Sequence, residues 1–277
     1  MSRRIAVIVA LLIVFVAGGL LVVFIQKLRI AANLRASENN LRQLAMYSAH
    51  HAYLDPDSSN SPKEIPAATI YLPGVAPDNR LSWMVTAIPG LDRTKNPVEE
   101  LLAKFDMAQP WTAERNQNAG RIRLNALICP ENAPRTPPNS PAITCYVGIA
   151  GVGTDAATLA LPQAGPTPAR AGAFRYDAAT PFDRITDGLS QTLFIGETAD
   201  DPGPWLRGGP STTRGLDDAA NAKPLIGMDG QFGGFFPNGA NFAMCDGSVR
   251  LITPQITPSI LLKLATISGG VNEPFIE

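Results

Sequence analysis

Histidine and cysteine, on which zinc sites and much acid–base catalysis depend, are scarce in this chain of 277 residues. The two histidines, His50 and His51, are adjacent, and none of the three cysteines belongs to a Cys-x-x-Cys pair. Three cysteines are too few for a disulfide scaffold. The composition therefore argues against a Cys/His metal site, and we expect no bound metal.

Motifs of catalysis are also missing. The chain has no Gly-x-Ser-x-Gly nucleophile elbow and no phosphate-binding loop, and both histidines lie in its N-terminal fifth. We therefore expect no catalytic residue, no cofactor and no enzymatic activity. A glycosidase with paired carboxylates stays open at this point, because the separation of two carboxylates is a three-dimensional property.

An excess of either charge is absent too. Lys and Arg number 23 and Asp and Glu 24, so the net charge of -1 gives no basic surface for nucleic acid. Glycine and proline are abundant, with 24 and 25 residues, which indicates many turns and a loop-rich, β-containing domain.

What the chain does have is a long apolar run, Ile5 to Ile25, without a charge, amide or proline. Its length of about 31 Å matches a hydrocarbon core of about 30 Å, which predicts a membrane span at about 5–25. A signal peptide is the alternative, with Arg3 and Arg4 as its basic region. The run exceeds a usual signal-peptide core, and Gln26-Lys27-Leu28-Arg29 is not a cleavage site, so an uncleaved anchor is favoured. The cationic residues on the two sides nearly balance, which leaves orientation weakly determined.

The helix is predicted to continue beyond the membrane, because neither glycine nor proline occurs between Gly19 and Pro56. An apolar-to-small stripe at helical spacing follows the span, and it predicts one face packed on a domain. The stripe consists of Leu34, Leu41, Leu44, Ala45, Ser48 and Ala52. We therefore divide the chain into a transmembrane and spindle helix, 1–54, and a soluble domain, 55–277.

Within the domain, Leu81–Ile88 is apolar enough for a buried helix or strand, and Pro97–Phe105 and Pro258–Ala265 are typical of short helices. Strands are predicted at Ile143–Val147 and Gln191–Ile195, and 203–236 is predicted to be mainly loop.

The sharpest local signal is a β-hairpin within Asn241–Ile252. Two strand-like runs flank Asp246-Gly247, a pair typical of a two-residue type I′ turn. In that register Cys245 would face Ser248, and Met244 would face Val249. The fold class predicted is thus α+β: a long N-terminal helix packed on a mainly antiparallel sheet with extended loops.

A series of short stretches in fixed order resembles the bacterial pilin-like family known as domain of unknown function 1559. The stretches run through most of the chain: Asn39–Gln43, Leu81–Trp83, Leu127–Pro130, Tyr146–Gly148, Ile185–Thr192, Gly196-Glu197, Asn238–Asn241, Asp246–Arg250, Leu264–Thr266 and Gly269-Gly270. The resemblance implies a pilin-type helix and a C-terminal structural signature, here Asp246, Gly247, Ser248 and Arg250, with Glu197 upstream.

The chain departs from this family pattern twice. Phe236 occupies the position of the signature histidine, so no role of that histidine is carried over. The N-terminus lacks the glycine of a prepilin cleavage site and has no acidic residue before Glu38. We therefore expect an uncleaved, unmethylated anchor.

Each candidate site has a plainer interpretation beside it. Asp246-Gly247 could bind a ligand or metal but is more simply a turn. Glu197 could be a buried functional carboxylate, and its plainer interpretation is a structural ion pair, for instance with Arg250, or plain exposure. A group of carboxylates could bind Ca²⁺, but it has no EF-hand spacing and is more simply a set of solvated turns. The group consists of Asp183, Asp187, Asp200 and Asp201.

The cysteines add an expectation that depends on export. Cys129 and Cys145 flank the proline-rich segment, and a disulfide between them would contribute about 3 kcal/mol. Cys245 should stay free beside the hairpin turn.

The leading functional interpretation is a pseudopilin-like structural or interaction protein, possibly in secretion or surface assembly. We expect it in the inner membrane as a single-pass protein, with its C-terminal domain periplasmic or extracellular. Its partners would be the lipid bilayer and other pilin-like or surface proteins. The alternative is a tethered binding module for glycan or Ca²⁺, in which Trp83, Trp111 or Trp205 could stack on sugar.

Overall fold

The longest element is helix α1, Arg3–His50, whose 48 residues extend about 72 Å. The computed structural model describes residues 3–50, 64–91, 102–132, 137 and 139–270. The prediction of one long N-terminal helix is confirmed. Its predicted end at Pro56, the boundary between 54 and 55, and most of the predicted helix Pro97–Phe105 lie outside the described residues.

Helix α1 has two halves with different surroundings. Up to residue 32 its described side chains are exposed, including the large apolar ones, and Phe15 is 81% exposed. In the second half one face is buried against the domain: Ser37, Leu41, Leu44, Ala45 and Ser48. Leu34 is partly buried, and Ala52 lies outside the described residues. The stripe therefore packs against the domain, as its helical spacing predicts.

Five strands form the main sheet: β2 Tyr146–Val152, β4 Leu193–Glu197, β5 Thr213–Leu216, β6 Ala240–Met244 and β7 Val249–Ile252. Their order is β5-β2-β4-β6-β7, and neighbours are antiparallel except β2 and β5. Two short strands, β1 Glu64–Ile65 and β3 Thr180–Pro181, form a separate antiparallel pair. The predicted α+β class is confirmed.

The described helices besides α1 are short: α2 Met84–Leu91, α3 Glu114–Gly120 and α4 Pro258–Leu264. The apolar segment that begins at Leu81 is thus a helix rather than a strand, and it continues through Pro89-Gly90. The C-terminal helix lies within the predicted bounds. Seven three-residue turns of 3₁₀ helix lie in the rest of the described chain.

The sheet is covered on both faces. On one face Tyr146 and Ala243 pack with the second half of α1 and with α2, and on the other Val147 and Phe242 pack with α4. Strands β2, β4 and β6 are buried at every position, as expected for central strands between two layers.

Two predicted strands begin later than expected. The strand predicted at Ile143–Val147 is β2, Tyr146–Val152, and the one predicted at Gln191–Ile195 is β4, Leu193–Glu197. Strand β5 lies inside the segment predicted as loop.

The predicted hairpin is confirmed, but its turn is different. Ala243 pairs with Val249, and the Met244 backbone N–H donates to the Ser248 carbonyl at 2.8 Å. The turn therefore has three residues, not two, and the predicted type I′ register is wrong by one position. Gly247 has φ 83°, whereas Asp246 has no positive φ. This pattern is typical of a type I turn followed by a left-handed glycine.

Candidate functional site

Glu197 ends strand β4 and is completely buried beneath the second half of helix α1. It lies opposite Tyr146 of strand β2 in the antiparallel ladder. Directly before it, Gly196 lets two aromatic rings approach the strand, since an added Cβ would come within 3 Å of both Phe242 and Phe232. Phe242 and Phe232 thus pack against strand β4 on the face opposite α1, and the Glu197 side chain lies beneath the helix.

A hydrogen-bond chain connects Glu197 to the helix. The Ser37 hydroxyl lies 2.6 Å from Glu197 Oε2 and donates to it, and it lies 2.9 Å from the Tyr146 hydroxyl. On the sheet, the Asn241 side-chain amide donates to the same Oε2 at 3.3 Å. The other carboxyl oxygen, Oε1, is buried and has no hydrogen-bond partner among the described residues.

Asn40, one turn after Ser37, extends the contact to a neighbouring loop. Its side-chain amide donates to the Ile128 carbonyl at 3.3 Å and lies 3.5 Å from the Tyr146 hydroxyl. The polar cluster of Ser37, Asn40, Tyr146, Glu197 and Asn241, hereafter the α1–sheet cluster, therefore joins the helix to strands β2, β4 and β6 and to the loop after Asn125.

Burial is the main influence on the electrostatics of this cluster. It raises the pKa of Glu197 to about 7, against the lowering effect of hydrogen bonds from Ser37 and Asn241. Burial raises the pKa of the Tyr146 hydroxyl as well. A carboxyl group that loses its hydration without gaining an opposite charge favours its neutral form.

Two thiols lie beside the cluster. Burial raises the pKa of Cys129 to about 12 and that of Cys145 to about 11, so neither is a reactive thiolate at neutral pH. Both are free, so the disulfide expected between Cys129 and Cys145 is not formed in this structure. Cys245 is also free and buried.

The Asp246 carboxylate accepts hydrogen bonds from Ser248 within its own turn, at 2.9 Å from the backbone N–H and 2.6 Å from the hydroxyl. Arg250 lies on β7 opposite Phe242. The turn is at the end of β4 where Leu193 pairs with Met244, whereas Glu197 ends the other side of that strand. The structure thus separates Glu197 from the Asp246-Gly247 turn and supports the local interpretation of Asp246.

Of the four aspartates considered for Ca²⁺, Asp200 and the adjacent Asp201 both have backbone carbonyls that accept from Arg214. Asp187 accepts from the Gly270 backbone N–H, Asp200 pairs with Lys223, and Asp183 lies on a 3₁₀ turn. Across the part of the chain that the structure describes, no three His, Cys, Asp or Glu side chains are grouped as metal ligands would be.

The family that matches the chain is described as "Protein of unknown function (DUF1559)", over residues 26–223. This match covers well over half of the sequence. The chain belongs to this family. No curated protein and no solved structure matches it.

The family match begins directly after the apolar run and includes Ser37, Asn40, Tyr146 and Glu197 of the α1–sheet cluster. It ends before Asn241 and before the Asp246-Gly247 turn. The helix-to-sheet contact therefore lies mostly in the shared segment, and the C-terminal signature lies outside it.

Ser37 is the site residue that the sequence analysis missed. It falls three residues after Leu34 and four before Leu41, so helical spacing places it on the buried face. A small polar residue in an apolar stripe indicates a buried hydrogen bond, but its partner, 160 positions away, is not visible in sequence.

Proposed function

We propose that the protein is a single-pass membrane protein whose domain faces the periplasm or cell exterior, where it serves as a pseudopilin-like structural or interaction subunit. One observation carries this proposal: helix α1 continues without interruption from an exposed apolar half into a half packed on the sheet. The anchor and the domain thus share one rigid element, as a subunit positioned by the bilayer requires.

The exposed apolar half of α1 is stable in the lipid bilayer and not in water. Among the described residues, it is the one segment long and apolar enough to cross a membrane, with a mean hydropathy of 3.2 in its most apolar window. Its apolar surface far exceeds the few hundred Å² that soluble monomers expose. A signal sequence shares these properties, but the continuation of the helix into the domain core favours an uncleaved anchor.

The described surfaces favour assembly over ligand binding. Trp83 and Trp205 are fully buried, and neither can stack on a glycan. Trp111 is partly buried, with the Arg207 guanidinium over its ring at 5.7 Å. Glu197 is fully buried and covered by α1. An open depression with two cationic side chains, Lys104 and Arg115, is present, but Arg115 already donates to the carbonyls of Ala103 and Lys104. The exposed face of α1 after the apolar half carries Arg35, Asn39 and Arg42, of which both arginines pair with Glu38 on the same helix.

The topology is tested by adding protease to intact spheroplasts that express the full chain. We expect loss of the domain and retention of a small N-terminal membrane fragment, with a cytoplasmic marker protein intact as the control. A domain that survives until the membrane is permeabilised would place it in the cytoplasm and overturn the proposal.

The assembly role is tested by a photo-crosslinking amino acid at Arg35, with the buried position Leu41 as the matched control. We expect crosslinks at position 35 to a second copy or to another membrane-anchored protein. Equal yields at the two positions, or monomeric protein alone, would contradict an assembly role while leaving the topology intact.

A further inference from the structure

We propose that Glu197 is a proton-dependent latch for helix α1. As a neutral carboxyl group it holds the second half of the helix on the sheet, and as a carboxylate it releases that half. The inference adds regulation to the proposed subunit, yet it rests on the helix–sheet interface alone and does not depend on which side of the membrane the domain occupies.

The position of the carboxyl group makes it a bridge between layers. Its Oε2 atom accepts from Ser37 on α1 and from Asn241 on β6, while the Ser37 hydroxyl also meets Tyr146 on β2. Apart from the contacts of Asn40 and Ser48, this helix face packs through buried apolar side chains: Leu41, Leu44 and Ala45. Glu197 therefore accepts the hydrogen bond that joins α1 to strand β4 within a largely apolar interface.

The unpaired oxygen argues for a bound proton. Oε1 is buried without a hydrogen-bond partner among the described residues. A carboxylate in that position would keep a full negative charge with one oxygen unsolvated, which costs much more than burying a neutral acid. The elevated pKa of Glu197, about 7, agrees with this geometry.

Three other titratable groups lie against the latch, one phenol and two thiols. Tyr146 on β2 and the neighbouring thiols Cys129 and Cys145 all have raised pKa values and stay neutral. The charged side chains on the adjoining elements are Glu131, which accepts from Asn33 of α1, Arg123 near Cys145, and Arg250 on β7. Glu197 is thus the group within the cluster whose charge changes as pH passes through about 7.

Release of the helix would expose Cys129, which gives the protein an internal reporter. The experiment measures maleimide labelling of Cys129, by peptide mapping, on full-length protein in detergent micelles from about pH 5.5 to about pH 8.5. Glu197→Gln is the reference, because the amide keeps the hydrogen-bond geometry and stays uncharged. The ratio of the two rates removes the intrinsic pH dependence of the thiol.

We expect the labelling rate of wild type, divided by that of Glu197→Gln, to rise about 30-fold between about pH 5.5 and about pH 8.5. The reason is that the pKa of Glu197 is about 7 when the helix covers it and 4.5 when it is solvated. Glu38→Gln, a change at a partly buried position one residue beyond Ser37, whose carboxylate pairs with Arg35 and Arg42, should follow the wild-type curve. Identical pH profiles in wild type and Glu197→Gln would overturn the latch.

Infrared spectroscopy of the wild-type protein gives a test that needs no variant to fold. A protonated carboxyl band should persist at about pH 6 and disappear as the pH rises through about 7, and absence of this band at about pH 6 would overturn the proposal. Ser37→Ala should move the midpoint to higher pH, since the Ser37 hydrogen bond lowers the pKa of Glu197. A midpoint that moves to lower pH would contradict the assigned contact.

Discussion

The first and second halves of helix α1 share one backbone geometry and differ in what surrounds them. From Ile5 to Ile25, apolar side chains occupy the helix and those that the structure describes remain exposed. After residue 33, apolar side chains form one stripe against the sheet, and charged residues such as Arg35 and Arg42 occupy the outer face. The same 48-residue helix is therefore adapted to two solvents, lipid and the domain's own core.

This difference shows that the two halves obtain their stability in different ways. In the first half each backbone group bonds within the helix, and the apolar surface requires only a hydrocarbon environment. In the second half, stability depends on specific partners: close packing by Leu44 and the buried hydrogen bonds of Ser37 with Glu197 and Tyr146. Substitutions should therefore have position-dependent effects that differ between the halves.

The largest expected effect separates anchoring from folding. Deleting residues 5–25 should move the protein from the carbonate-washed membrane pellet to the soluble fraction, because the deleted side chains that the structure describes are all exposed. For the same reason the melting temperature of the remaining domain should be unchanged.

The matched control is Met46→Lys, an exposed apolar residue of the second half, which should leave the protein in the membrane pellet. Continued pelleting of the deletion variant would reveal a second membrane attachment in the domain. An unfolded deletion variant would show that the first half does more than anchor.

Packing in the second half should give the next largest effect. Leu44 is fully buried in the core, so Leu44→Ala should destabilise the domain by about 2–5 kcal/mol through lost transfer energy and the cavity left behind. Leu20→Ala, at a position 68% exposed in the first half, is the control and should leave the unfolding transition unchanged. Thermal unfolding of full-length protein in detergent measures both, and equal shifts would refute the comparison.

The helical parts of the fold were predictable because their periodicity is local. The stripe from Leu34 to Ser48 fixed the buried face of α1, and proline at the first turn marked helix α4, Pro258–Leu264. Strand β2 contains two glycines, Gly148 and Gly151. Glycine has a low strand propensity, so most of the strand was not predicted from the sequence. Its stability comes from burial on both faces, which sequence alone does not display.

The site was less predictable than the fold. Glu197 was identified as a candidate, with an ion pair, for instance to Arg250, as one plainer interpretation. The structure shows hydrogen bonds from Ser37 and Asn241 to its carboxyl group. Those contacts depend on the position at which helix α1 packs against the sheet, and tertiary packing determines that position. The hairpin turn illustrates the same limit, since Asp-Gly suits both a two-residue turn and the three-residue turn observed here.

The pH dependence of stability tests the polar contact between the second half of α1 and the sheet, which is made by Ser37 and Glu197. Because the pKa of Glu197 rises from 4.5 to about 7 on folding, its contribution is fully present below about 4.5 and is lost as pH rises through about 7. This difference corresponds to about 3 kcal/mol. Glu197→Gln should therefore be more stable than wild type at about pH 8 and similar to it near pH 4.5, as measured by urea unfolding. A variant that is less stable than wild type at both pH values would contradict the neutral assignment.

The smallest expected effect concerns the hairpin turn, which touches the second half of α1. Gly247 has φ 83°, and a Cβ there would lie 3.7 Å from Met46 Cγ, an ordinary contact distance. The penalty of Gly247→Val is therefore conformational rather than steric, about 1–2 kcal/mol for a side chain in left-handed geometry, and more for a β-branched one than for asparagine. Gly247→Asn is the matched control, since asparagine adopts this conformation more readily.

Thermal unfolding should rank wild type, Gly247→Asn and Gly247→Val in descending stability. Equal melting temperatures for the two variants would show that crowding against the helix, and not the turn, limits this position.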